Sequence, residues 1–238
     1  SIDARAPAAQ TGREYAMPAE GIARIPIEGP LMKADPKYSG TSTVRTRHNI
    51  RAAVNDPEVR GILLHIDSPG GHVAGTDELA QEIKAASSKK LVHAHIDDQG
   101  ASAAYWAASQ AGRITANRTA DIGSIGTMAI IEDASGAAEM QGVKVHVVSS
   151  GKFKGAFAPG TTVTEEQLGL LQDRVDNING HFLRAVSRGR SMSMDNVREV
   201  ADGRVFSAQE SLTLGLIDEV ATYEGAVTGL SRQLFEDS

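Results

Sequence analysis

Apolar residues in the first half of the chain form short runs that alternate with segments of helical spacing. Gly61–Ile66 and Leu91–Ile96 are near-continuous apolar runs of strand length, a pattern typical of parallel strands that are covered on both faces. Gly21–Ile27 predicts an earlier strand. The apolar spacing predicts a helix over residues 43–54, after the Gly21–Ile27 strand, and another over residues 76–86, after the Gly61–Ile66 strand.

The second half of the chain continues this alternation. Thr164 and Gln167 have the spacing of a capping box, and the apolar residues after them predict a long helix. Ser207 and Glu210 form a second capping box, which opens a short helix. Further short strands are predicted over residues 114–116, 129–131, 143–148 and 217–220.

Strands that alternate with helices predict an α/β fold with right-handed βαβ crossovers and a mostly parallel sheet. The 238 residues suit one such domain, which we place at residues 21–222. Residues 1–20 are rich in alanine, proline and charge and are predicted to form a flexible N-terminal arm. Residues 223–238 are predicted to form a C-terminal helix that is available for oligomer contacts.

Composition excludes several classes of function. The net charge of −6 and the lack of a basic cluster argue against a nucleic-acid partner. The chain has no cysteine, which excludes disulfides, thiolate metal sites and a cysteine nucleophile. No stretch approaches the roughly 18 apolar residues of a membrane span, and residues 1–20 lack the apolar segment of a signal peptide.

A glycine-rich turn, Asp67-Ser68-Pro69-Gly70-Gly71, lies between a predicted strand and a predicted helix. Ligands bind at such strand ends in parallel α/β folds. Adjacent glycines let backbone N–H groups approach a ligand, as an oxyanion hole requires. A plain tight turn is the alternative interpretation of this segment, and Pro-Gly-Gly has that role more often.

Ser102 lies where a predicted strand ends, Gly100 turns the chain and a helix begins. This context resembles a nucleophile elbow, although the Gly-x-Ser-x-Gly spelling is absent. The helix N-terminus favours an anion, and the N–H of Ala103 could donate to it. The alternative is that Ser102 only caps the helix.

Two later loops carry polar side chains of potential interest. Gly123-Ser124-Ile125-Gly126 would by itself be a turn between strands. Lys152 and Lys154 follow a predicted strand, and two such lysines in a loop are usually solvated surface charges. Neither loop carries a functional hypothesis alone.

Taken together, the segments resemble the Ser–Lys peptidases of the signal peptide peptidase A (protease IV) family, especially the phage and prophage branch of capsid-maturation proteases. The resemblance covers about residues 21–222 and is specific through the order and spacing of its parts. Those parts are Gly61–Gly71, Ala101-Ser102-Ala103-Ala104-Tyr105-Trp106, Gly123–Gly126, Ser150–Lys154, Gly203–Ser207 and Gly215-Leu216-Ile217-Asp218.

The resemblance implies a Clp-protease/crotonase-like fold and a role for each site residue. Ser102 would be the nucleophile and Lys154, 52 residues later, the general base, with Lys152 as the competing lysine. Ser124 would hydrogen-bond the lysine amine. The oxyanion donor of the Ser-Pro-Gly-Gly turn would be Gly71, with Gly70 as the alternative, alongside Ala103.

Other chemistries fit the sequence less well. A Ser–His–Asp site would need a histidine about two dozen residues after the serine, but none occurs between His95 and His146. No metal-spaced cluster is present, so neither a metal nor a cofactor is expected. A crotonase-like acyl-CoA enzyme and a catalytically inactive scaffold of the same fold remain alternatives.

The resemblance also implies the biological setting. The substrates would be extended polypeptides, either phage scaffold and capsid proteins or signal peptides. The family forms rings, so a homo-oligomer is expected. The phage-like branch implies a cytoplasmic protein, and the cellular branch implies a membrane-anchored or extracytoplasmic one whose anchor is absent from this chain.

Overall fold

The computed structural model describes residues 15–236. They separate into two compact units, one with residues up to Gly126 and from Phe182 onward, and the other with Thr127–His181. Residues 1–14 of the predicted arm lie outside the described part. Ala16–Ala19, at the end of that arm, forms a strand that pairs antiparallel with its neighbour.

A mostly parallel sheet organises the first unit. The strands are β1 Ala16–Ala19, β2 Ile22–Glu28, β3 Leu31–Met32, β4 Thr41–Ser42, β5 Gly61–Ser68, β6 Leu91–Ala101, β7 Arg113–Ala116, β8 Asp121–Gly123, β9 Val205–Ser207 and β10 Glu219–Val220. The path through the sheet is β1-β2-β5-β6-β7-β10, with β8 beside β6 and β9 beside β8, while β3 and β4 form a separate pair. Five pairings in this sheet are parallel, and antiparallel pairing occurs between β1 and β2 and between β8 and β9.

The predicted helices form, and both capping boxes are present. Thr164 and Gln167 exchange hydrogen bonds between side chain and backbone at the start of the long helix, and Ser207 and Glu210 do so at the short one. The helices are α1 Thr43–Asn55, α2 Thr76–Ser87, α3 Ala103–Ala108, α4 Ser135–Met140, α5 Glu165–Arg190, α6 Met194–Glu199, α7 Ala208–Thr213 and α8 Tyr223–Glu236. None in the described part is long and apolar enough to cross a membrane.

Apolar side chains pack on both faces of the sheet, in two separate clusters. Ile62, Leu64 and Ile66 of β5 belong to the main apolar cluster, which also includes buried residues of α1, α2 and α3. Leu63, on the opposite face, packs in a second cluster with Leu230 of α8. The alternation of β5 side chains between two clusters explains its continuous apolar run in the sequence.

Strand β6 has two successive partners. Residues 93–96 pair with β7, and residues 99–101 pair with β8. The register with β5 shifts in between, because Ile66 pairs with Ile96 but Ser68 pairs with Gly100. This irregularity redirects the end of β6 immediately before Ser102.

The prediction of strands at residues 129–131 and 143–148 is wrong, since both segments lack regular structure in the second unit. A strand needs a neighbouring strand to satisfy its backbone groups, and no strand lies within Thr127–His181. Their apolar side chains are exposed, with Val148 98% accessible. The alternating apolar pattern reflects strand propensity, but this unit contains no neighbouring strand with which the two segments could pair.

Tyr105 joins the serine segment to the Gly-Leu-Ile-Asp segment far along the chain. Its ring is fully buried, and its hydroxyl donates to the Leu216 carbonyl oxygen at 2.8 Å. Asp218 is held in turn by the backbone N–H of Ile114 at 2.7 Å and by Arg190. These contacts give two of the sequence motifs a structural role.

We expect Tyr105→Phe to lower the free energy of unfolding by about 1–2 kcal/mol, because it leaves the Leu216 carbonyl without its partner in a buried site. Urea denaturation followed by circular dichroism measures the change. Tyr38→Phe is the matched control, since Tyr38 is 99% exposed. Equal stability of the two variants would contradict the role assigned to the Tyr105 hydroxyl.

Candidate active site

Ser102 has a backbone conformation that non-glycine residues rarely adopt. It follows β6 directly and precedes α3, with φ 52° and ψ −123°. Its N–H donates to the Gly123 carbonyl oxygen at 2.8 Å, and its carbonyl oxygen accepts from the Trp106 N–H at 2.9 Å. Such a conformation costs on the order of 1–3 kcal/mol and persists where its surroundings fix it. Ser102 thus sits on a strained strand-to-helix turn, the arrangement of a nucleophile elbow.

The Ser102 hydroxyl does not cap α3, so the alternative role of a helix cap is not used. The residue is partly exposed, and its side chain has no hydrogen-bond partner within residues 15–236. The hydroxyl is therefore available to a base or to a substrate.

The glycine turn lies directly against Ser102. A Cβ placed on Gly70 would lie 2.8 Å from the Ser102 Cβ, the Ala103 nitrogen and the Ala101 carbonyl oxygen. A Cβ on Gly71 would collide with the backbone of Leu31. Only glycine fits either position, because one side of the turn packs on the elbow and the other on β3.

The three backbone amides predicted as oxyanion donors differ in their hydrogen bonding. The Gly70 N–H already donates to the Ser68 hydroxyl oxygen at 3.2 Å. The N–H groups of Gly71 and Ala103 donate to no group in the described part of the chain. Gly71 and Ala103 therefore remain candidate oxyanion donors, and Gly70 is the weaker one.

Ser124 occupies the equivalent position on the neighbouring strand. Ala101 of β6 pairs with Gly123 of β8, so Ser102 and Ser124 each follow a residue of this pair. The Ser124 N–H donates to the Arg204 carbonyl oxygen at 2.8 Å, and its φ is 48°. The sheet thus brings the two predicted serines to adjacent strand ends.

The two candidate lysines belong to the second unit. Both lie in the turn around residues 151–157, where the Lys154 N–H donates to the Gly151 carbonyl oxygen at 3.0 Å. The Lys152 ammonium contacts the Glu166 carboxylate at 2.5 Å. The Lys154 ammonium has no hydrogen-bond or ion-pair partner within the described residues. The structure therefore distinguishes the lysines by their local partners.

Residues 84–234 match the peptidase family S49. The chain belongs to peptidase family S49. The matched range includes Ser102, Ser124 and both lysines, and the Gly70–Gly71 turn precedes it.

Two relatives of the chain are named as proteases. The chain is 34% identical over 212 residues to the capsid assembly protease C of Escherichia phage lambda, covering 87% of this chain and 48% of that protein. It is 30% identical over 186 residues to the chloroplastic serine protease SPPA of Arabidopsis thaliana, covering 78% of this chain and 26% of that protein. The chain spans about half the length of several of the curated relatives it matches.

The fold of this S49 chain is similar to a solved structure of a mutant ClpP1 from Listeria monocytogenes. The TM-score is 0.54 at 14% sequence identity, and the match covers 85% of this chain and 94% of that one. The expected Clp-protease-like fold is confirmed.

Two of the histidines, His65 and His95, form a polar cluster with Arg24 and Asp97, which sequence patterns did not indicate. His65 Nδ1 accepts from the Arg24 Nε–H at 3.1 Å, and its Nε2 contacts an Asp97 carboxylate oxygen at 2.5 Å. The His95 Nε2 lies 3.3 Å from the other Asp97 oxygen. Burial alone would raise the pKa of the Asp97 carboxyl, but its contacts with His65 and His95 outweigh burial and hold that pKa well below its usual value.

This cluster does not give the site a histidine base. His65 and His95 use their ring nitrogens for Arg24, Asp97 and Thr115. No group of three or more histidine, aspartate or glutamate residues among those described has the geometry of a metal site. Both observations concern residues 15–236 only.

We expect Gly70→Ala to reduce any activity of Ser102 by about tenfold or more, because the new methyl group would displace the Ser102 Cβ and the Ala103 amide. The reaction rate of Ser102 with a fluorophosphonate probe measures the loss. Gly112→Ala is the matched control, since a Cβ there would meet only the Val92 carbonyl oxygen, at 3.5 Å. Equal rates for both variants would contradict the packing of Gly70 on Ser102.

Proposed function

We propose that this S49 chain is a serine endopeptidase in which Ser102 attacks the peptide carbonyl carbon and Lys154 is the general base. The observation that carries the proposal is the strained turn at Ser102, which packs against Gly70 and precedes the Ala103 amide. Among residues 15–236, the Ser102 hydroxyl and the Gly71 and Ala103 N–H groups have no hydrogen-bond partner. Membership of a peptidase family supports the reaction class over that of an acyl-CoA enzyme. The name of the Arabidopsis relative, a serine protease, supports the type of nucleophile.

The proposed reaction proceeds through an acyl-enzyme. Neutral Lys154 accepts the hydroxyl proton as the Ser102 oxygen bonds to the carbonyl carbon, and the Gly71 and Ala103 N–H groups donate to the resulting oxyanion. Lys154 returns the proton to the leaving amine as the peptide bond breaks. Water then attacks the ester, with Lys154 again accepting a proton, which restores the Ser102 hydroxyl and releases the new carboxyl terminus.

Local contacts favour Lys154 over Lys152 as this base. A lysine can accept a proton only in its neutral form, and a nearby carboxylate favours the ammonium form. Lys152 has such a carboxylate in Glu166, whereas Lys154 has no carboxylate partner among residues 15–236. Ser124 is proposed to hydrogen-bond the Lys154 amine, on the strength of the family resemblance.

The proposed substrates are extended polypeptides. The lambda relative is named as a capsid assembly protease, and we extend that role to this chain as processing of phage scaffold or capsid proteins in the cytoplasm. Cleavage of signal peptides is the alternative within the same reaction class.

We expect Ser102→Ala and Lys154→Ala each to reduce kcat/KM on fluorescently labelled casein by about 10³-fold or more, as the loss of a nucleophile or its base does in other serine peptidases. Lys152→Ala is the matched control and should keep most of the activity. An inactive Lys152→Ala with an active Lys154→Ala would reverse the assignment of the base. Full activity of Ser102→Ala would refute the peptidase proposal at this site.

We further propose that the chain assembles into a homo-oligomer, which the resemblance implies to be a ring. Several large apolar side chains of the second unit are exposed, among them Met128 at 82%, Ile130 at 80% and Val148 at 98%. Where such exposed apolar side chains form a contiguous patch, the patch commonly marks a protein contact. A second copy of the chain would remove these side chains from water.

We expect the double variant Ile130→Asp/Val148→Asp to lower the molar mass measured by light scattering after size exclusion, because two charges would have to be buried in the interface. Tyr38→Asp is the control, since Tyr38 is equally exposed but belongs to the first unit. An unchanged mass for the double variant, or a monomeric wild type, would contradict this interface.

A further inference from the structure

We propose that Ser68 is a positioning residue that fixes the glycine turn so that Gly71, and not Gly70, presents its N–H to the oxyanion. This inference rests on the proposed peptidase function and assigns a role within its site. Ser68 would touch neither the substrate nor Ser102.

Ser68 is the last residue of β5 and is fully buried. Its hydroxyl donates to the Gly29 carbonyl oxygen at 2.6 Å and accepts from the Gly70 N–H at 3.2 Å. The direction of both bonds is fixed, because a carbonyl oxygen can only accept and an N–H can only donate. The hydroxyl therefore joins the turn after β2 to the turn after β5.

The contact with Ser68 fixes one side of Gly70, and β3 fixes the other. The Gly70 carbonyl oxygen accepts from the Leu31 N–H at 2.8 Å, and the His72 N–H donates to the Leu31 carbonyl oxygen at 2.9 Å. Gly70 has a φ of 95°, a conformation from which glycine can move at little steric cost. Without the two bonds, the peptide groups around Gly70 would be free to rotate.

The peptide group between Gly70 and Gly71 is planar and trans, so the position of the Gly70 carbonyl also sets the direction of the Gly71 N–H. The N–H of a trans peptide is antiparallel to the carbonyl of the same unit. Because the Gly70 carbonyl points to Leu31, the Gly71 N–H points away from β3. That N–H is unpaired within the described residues, and Gly71 is exposed. Ser68 thus accepts the hydrogen bond of the Gly70 N–H and helps to hold the Gly71 N–H in its orientation.

Removal of the hydroxyl should affect the transition state more than substrate binding. The Gly70 N–H and the Gly29 carbonyl would lose their shared partner, and the Gly70–Gly71 peptide could leave its orientation. Loss of one oxyanion donor lowers kcat by about 10²–10³-fold in other enzymes. A donor that is misaligned for part of the time should give a smaller loss, about 10- to 100-fold.

The test compares Ser68→Ala and Ser68→Cys with the wild type, using labelled casein and a peptide boronate. A boronate forms a tetrahedral adduct with the nucleophilic serine, so its affinity reports the oxyanion site. We expect kcat to fall about 10- to 100-fold with KM nearly unchanged, and the boronate inhibition constant to rise by a similar factor. Cysteine fills the volume of serine but is a weak hydrogen-bonding group, so this variant tests the proposal if Ser68→Ala fails to fold.

Ser109→Ala is the matched control. Ser109 is also fully buried, and its hydroxyl donates to the Trp106 carbonyl oxygen at 2.7 Å and accepts from the Gln110 side chain at 2.7 Å. It should lose stability without a change in boronate affinity. The proposal is overturned if the folded Ser68 variants keep wild-type kcat and boronate affinity while Ser102→Ala is inactive. An active Ser102→Ala would instead overturn the proposed function itself.

Discussion

The division of β6 between two neighbours is the constraint on which the candidate site depends. Its first half is hydrogen-bonded to β7, and its last three residues are hydrogen-bonded to β8. The end of the strand is thereby turned away from β7 and held beside Gly123. Ser102 comes next along the chain, and its N–H bonds to the Gly123 carbonyl.

The glycine turn at Gly70 and the strand-to-helix turn at Ser102 pack directly against each other. Gly70 can pack on Ser102 only because it lacks a Cβ, and Ser102 can hold a positive φ because its N–H and carbonyl are both bonded. Each segment alone is a common structural element, a tight turn or a helix start. Their contact, together with two amides that have no partner among residues 15–236, makes the pair a candidate for acyl transfer.

Much of the first unit could be predicted from the sequence. The strands at Gly61–Ile66 and Leu91–Ile96 were evident because they are buried on both faces, and the helices because they have one apolar side and clear caps. The roles of Ser68 and Asp97 could not be predicted, because each depends on partners that lie far apart in the sequence. The strand predictions for residues 129–131 and 143–148 were also wrong for want of information about distant partners. Their strand propensity was real, but the unit that contains them offers no partner strand.

The bond from the Ser124 N–H to the Arg204 carbonyl ties the site to a late part of the chain. Strand β9, which follows Arg204, also completes the pairing of β8, the strand that holds the Ser102 amide. During synthesis on the ribosome, the segment with Ser102 emerges well before the segment that supports its surroundings. A nascent or truncated chain would thus lack the finished candidate site, so the order of synthesis would itself delay completion of the turn at Ser102.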